Sequence, residues 1–146
     1  MRPAVALFLG VFLCGALAGG AGDAGKKAGK EDHKRLLGEW EYVEQIIDGK
    51  KVDQKGTWTF TGNQILYGPD AKVHAVFKLD ATKKPKTIDS TPDGPPEKAK
   101  PILGIYEFDG ETLKICNSRP GKDRPTDFEA KEGSEHTCIV WQREKK

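Results

Sequence analysis

Beyond residue 37 the apolar positions recur with a period of two. Residues 38–47 place Trp40, Tyr42 and Ile46 on one face and Val43, Gln45 and Ile47 on the other, as in a strand with one face against a core. Asp48-Gly49 ends that run with a pair that tolerates positive φ. The alternation returns in residues 56–61, where Trp58 and Phe60 share a face, and in residues 64–67. It is clearest in 72–79, where Val73, Ala75, Phe77 and Leu79 oppose His74, Val76 and Lys78, and weaker around Ile88 in 86–90. Residues 102–108, 111–117 and 137–143 complete eight short strands. Asp109-Gly110 between two of them predicts a type I′ hairpin. The proline-rich stretch 91–101 lacks ladder donors and reads as a loop. Helix is confined to one turn over 32–37 and another at Thr126-Asp-Phe-Glu129, where a capping box is expected.

Eight strands joined by tight turns, with so little helix, predict an all-β fold, an eight-stranded antiparallel up-and-down barrel with a short N-terminal helical turn. An immunoglobulin-type sandwich fits less well. It would place a Trp between two cysteines, whereas Cys116 and Cys138 both follow Trp40 and Trp58.

The first eighteen residues follow another pattern. Arg2 precedes the apolar run 4–17, which ends in Ala16-Leu-Ala18. The run is shorter than the roughly 20 residues of a membrane span and finishes in the small-x-small signature of signal-peptide cleavage. Residues 1–18 are therefore expected to be a signal peptide, 19–31 a flexible linker rich in Gly, Ala and Lys, and 32–146 the barrel domain. Such a protein is exported, periplasmic or extracellular, with no stable membrane span after processing.

In an exported chain a disulfide is permitted. Cys116 and Cys138 lie on the last two predicted strands, pointing outward if Leu113, Ile115, Ile139 and Trp141 point inward. Pairing depends on the register, so a disulfide and two separate buried thiols both remain open.

The chain has 146 residues, room for one domain. Its 24 basic and 22 acidic residues nearly balance, with the Lys excess scattered along the sequence, which argues against a nucleic-acid partner. His33, His74 and His136 show no metal-ligand spacing. No nucleophile elbow, zinc-protease motif or phosphate loop occurs, so no catalytic residue, cofactor or metal is predicted and the chain reads as a non-enzyme.

Tyr42, Trp58, Phe60, Phe77, Tyr106 and Phe108 have two readings. They line a cavity for a small apolar or amphipathic molecule, or they fill the barrel as core. The first makes the protein a ligand-binding barrel. The second makes it a solid interaction module for another envelope protein, with residues 78–86 and 91–101 as contact surfaces. A cavity above about 300 Å³ favours the first, and a solid interior excludes it.

Gly38-Glu-Trp40 resembles the opening of the first strand in the lipocalin-like superfamily, where a late Arg packs across the Trp. Arg143 stands at the matching place. A closer likeness runs through Leu37-Gly-Glu-Trp40, Asp48-Gly-Lys-Lys51, Phe77-Lys-Leu-Asp80, Leu103-Gly-Ile-Tyr-Glu107, Asp109-Gly-Glu-Thr-Leu-Lys-Ile-Cys116 and Pro120-Gly-Lys-Asp-Arg-Pro125. These segments are similar to a planctomycete family of small exported lipocalin-like domains of unassigned function. The resemblance implies structural roles for Gly38, Trp40 and Arg143 and no catalytic residue. The Thr-Asp-x-x-Tyr element of many true lipocalins is missing.

Overall fold

The computed structural model describes residues 21–68, 70–95 and 99–144. The expected signal peptide, 1–18, lies outside them. After α1 (Ala21–Leu36) come β1 (Gly38–Ile47), β2 (Lys50–Val52), β3 (Thr57–Thr61), β4 (Gln64–Tyr67), β5 (Lys72–Asp80), β6 (Thr87–Pro92), β7 (Ile102–Asp109), β8 (Thr112–Asn117) and β9 (Thr137–Arg143). All neighbours are antiparallel, and β9 returns to pair with β1. β3 lies against Gly38–Glu41 and β2 against Gln45–Ile47. Together β2 and β3 act as one interrupted strand, so the closed barrel has eight positions, as the alternation predicts. Closure removes the unpaired edges that an open sheet would present.

The turns follow their residues, with one displacement. Asp48 and Gly49 both have positive φ, 48° and 82°, as a type I′ turn between Ile47 and Lys50 requires. In the β7–β8 hairpin Asp109 instead pairs with Thr112, leaving Gly110-Glu111 as the loop. Only Gly110 of that loop takes positive φ, 58°.

Two β-bulges break the simple alternation. On β1 the register with β9 shifts between Tyr42 and Glu44, leaving Val43 as the extra residue, 56% exposed. Beyond it Gln45, opposite Ile139, turns into the barrel, and Ile46, opposite Cys138, turns out. This reverses the faces expected from sequence. On β5 the shift between Ile65 and Leu66 makes His74 the extra residue and turns Val73 outward, opposite Leu66. An inserted residue advances the side-chain phase by one, so each bulge inverts the strand beyond it.

Most of the interior is one cluster that includes Leu36, Trp40, Phe60, Phe77, Tyr106, Leu113 and Trp141. A second, smaller cluster lies outside the wall. Cys116 and Cys138 face each other across β8 and β9 and are joined in a disulfide. They point outward as expected, yet both are buried, packed with Ile105, Ala130, Ile46 and Phe128. The segment 118–136 covers them. Within it the expected helical turn at 126–129 does not form. Asp127 accepts the Glu129 N–H at 3.1 Å, a local bond that competes with helix.

α1 starts well before the expected single turn and takes in residues expected to form a linker. Ala and Lys are good helix formers, and the end of the helix is held by burial of Asp32 and Leu36. At Gly25 a Cβ would lie 2.4 Å from Thr82 Cγ2, so glycine allows the helix to approach the β5–β6 turn.

Candidate functional site

The barrel end under α1 is sealed. Trp40 is 1% exposed and donates its indole N–H to Leu36 O at 2.7 Å. The Arg143 guanidinium lies 4.3 Å above the Trp40 ring and donates to Leu37 O at 2.9 Å and to Arg35 O. Gly38, at φ 117°, has no room for a side chain, since a Cβ would fall 2.8 Å from Arg143 Nη1. Gly38, Trp40 and Arg143 thus form one plug. Asp32 accepts from Tyr106 Oη at 2.8 Å and Lys86 Nζ at 2.7 Å. Burial, followed by the Asp32 hydrogen bond and charge, holds the Tyr106 phenol well above its ordinary pKa. His33 donates to Gly62 O at 2.6 Å, and the Arg35 guanidinium covers Phe108 at 4.5 Å. Three of the six aromatic candidates, Phe77, Tyr106 and Phe108, therefore belong to the packed end.

At the other end a cavity of about 70 Å³ remains, lined in part by Trp58, Phe60, His74, Ser90 and Asn117. Tyr42 packs beside it against Trp141 and Trp58, with ring centroids 4.1 Å and 6.2 Å away. Burial, with Tyr67 a lesser cause, raises the Tyr42 phenol. The polar groups here are less well satisfied. Gln45 Oε1, Trp58 Nε1 and Trp141 Nε1 are all buried with no hydrogen-bond partner among the described residues. The space suits a few waters and is far below the roughly 300 Å³ at which ligand pockets begin.

Larger concavities open on the outer surface, one of about 590 Å³ beside Leu37, Gly38 and Arg143 and two that flank the end of β5. Of the flanking pair, one, of about 560 Å³, is floored by Leu79, Pro85, Ile105 and Pro125 and rimmed by Lys78, Lys83, Lys84 and Arg124. Arg124 is committed, donating to Asp89 at 2.6 Å and Gly104 O at 2.7 Å. The other, of about 600 Å³, runs between α1 and β5 over Phe77, Leu79 and Ala81. Lys26, Lys30 and Lys34, one helical turn apart, rim it together with Lys78.

The sequence pointed to residues 78–86 but missed the contribution of α1, although the four-residue spacing of its lysines was readable. Gln45, His74, Ser90, Asn117 and Trp141 were missed at the mouth. Among the described residues no three His, Cys, Asp or Glu side chains are placed to hold a metal ion, and no helix is long and apolar enough to cross a membrane. The disulfide fits an oxidising compartment. Compared with protein-family models, curated proteins and solved structures, the chain finds no match.

Proposed function

We propose that this protein is an exported, non-enzymatic binding domain of the lipocalin-like type, in which the barrel is a filled scaffold and the partner is met on the outer wall. The carrying observation is the contrast in free volume, about 70 Å³ inside against about 560 and 600 Å³ in the outer grooves. The disulfide and the leader-like residues 1–18 support export. The test is titration of the mature protein with a long-chain fatty acid while Trp58 and Trp141 fluorescence is followed. A filled barrel gives no saturable quenching. Saturable quenching, abolished by Phe60→Trp at the cavity wall, would restore the internal-ligand reading.

A second reading is favoured by the unpartnered Gln45, Trp58 and Trp141 atoms. It makes the open mouth the seat of a molecule a few atoms across that supplies hydrogen bonds. Native mass spectrometry of protein taken from its own source checks it. Added mass that leaves on denaturation supports this reading, and a bare polypeptide supports the scaffold.

A further inference from the structure

The lysines that look scattered in the sequence converge in the fold. Lys26, Lys30 and Lys34 from α1 meet Lys78 across one groove, and Lys78 continues with Lys83 and Lys84 around the other. All six are exposed, and none forms an ion pair among the described residues. Two carboxylates share this face. Asp80 is held by the Thr82 hydroxyl and N–H, and Asp89 is neutralised by Arg124. A chain of formal charge +2 therefore gathers six lysines on one side against a single carboxylate, Asp80, that no cation pairs directly and whose charge acts on Lys78 and Lys83.

We propose that this face binds an extended acidic polypeptide segment, whose carboxylates meet the lysine rims while intervening apolar side chains enter the grooves. The proposal rests on the outer-wall reading above and names its partner. Charge complementarity selects an anion. Shape selects a chain rather than a membrane, because the accessible apolar surface, at Leu79, Ala81 and Pro85, lines concave grooves between lysines rather than a flat apolar face. Nucleic acid is disfavoured because Phe77 is 6% exposed and offers no open face for base stacking.

The test uses fluorescence anisotropy of a labelled peptide in which leucines are spaced between glutamates, with the mature wild-type protein. Saturable binding is expected at low ionic strength, with loss near 1 M salt, where the screening length falls to about 3 Å. Lys30→Glu with Lys34→Glu, and separately Lys78→Glu with Lys83→Glu, are each expected to weaken binding about tenfold or more. Lys55→Glu with Lys72→Glu makes the same charge change away from the grooves and is expected to leave affinity within about twofold. Circular dichroism confirms that each variant is folded.

Absence of wild-type binding, or equal loss in the control pair, overturns the proposal. So does lysine-dependent binding to phosphatidylglycerol vesicles without binding to the peptide. Fatty-acid uptake by the barrel would remove the scaffold reading and leave the peptide result standing. No peptide binding by a protein with an inert interior removes this partner alone.

Discussion

The two ends of the barrel are built from similar aromatic residues and finished in opposite ways. Under α1, the Trp40 indole N–H, the Tyr106 hydroxyl, the Asp32 carboxylate and the Arg143 guanidinium all have partners. At the mouth, two indole N–H groups and one amide oxygen are buried without any among the described residues. An intramolecular hydrogen bond adds only about 1 kcal/mol net, whereas an unsatisfied buried group costs about 1–3 kcal/mol. The sealed end is therefore where the barrel gains stability, and the mouth is where it retains a local cost. That division fits a scaffold anchored at one end.

The comparison breaks most sharply at Trp40. Trp40→Ala empties the plug and leaves Arg143 without its aromatic surface, and a loss of about 3–5 kcal/mol is expected in denaturant unfolding. A loss below about 1 kcal/mol would show that the sealed end is not the anchor. Next is the Cys116–Cys138 bond, which joins β8 and β9 beneath segment 118–136. Reduction is expected to cost about 2–4 kcal/mol, with faster hydrogen exchange in segment 118–136 than in α1. Equal acceleration in both would remove the distinction between them.

Asp32→Ala comes third. It leaves the Tyr106 hydroxyl and Lys86 without their shared acceptor, for an expected loss of about 1–3 kcal/mol by thermal and denaturant unfolding. The same variant sharpens the pH dependence. Tyr42 and Tyr106 have folded pKa values above the ordinary 10.0, so the folded state holds those protons more tightly than the unfolded state. Their contribution is complete below pH 10 and declines as pH rises toward the folded values. In Asp32→Ala the Tyr106 phenol loses two of the causes that raise it, and its tyrosinate absorbance is expected to appear at lower pH. An unchanged alkaline titration would contradict the Asp32 contact.

The smallest expected effect is at Gln45. Replacing an amide whose oxygen is buried and unpartnered with an apolar side chain of similar size removes a cost. Gln45→Leu is expected to change stability by less than about 1 kcal/mol, with any change favourable. A loss above 2 kcal/mol would mean that the mouth depends on that amide and would favour the small-ligand reading.

Much of the architecture was legible in the chain because strand periodicity is local. Phe77 and Leu79, or Leu113 and Ile115, point inward for a reason contained in their own segment. The bulges were not legible, since whether Val43 or His74 is the extra residue depends on the neighbouring strand's register. The length of α1 was hidden as well, because a segment of Gly, Ala and Lys gains its order partly from docking Asp32 and Leu36. The site was less legible than the fold. Trp58 and Phe60 line the small cavity as their residue types suggest, whereas Phe77, Tyr106 and Phe108 look no different in sequence and are packed under the helix.

Sequence by itself determined the eight strand positions of the barrel, the all-β class, the Asp48-Gly49 turn and, once Leu113, Ile115, Ile139 and Trp141 point inward, the outward direction of both cysteines. Each follows from residue-to-residue geometry, either the two-residue alternation of a strand or the positive φ of a turn. Only the tertiary structure decided that the cysteines face each other, that segment 118–136 buries them and that the barrel interior is nearly full. It alone brought Lys26, Lys30 and Lys34 beside Lys78, Lys83 and Lys84. Pairing, free volume and electrostatic fields depend on distances between residues far apart in the chain, and chain closure sets those distances.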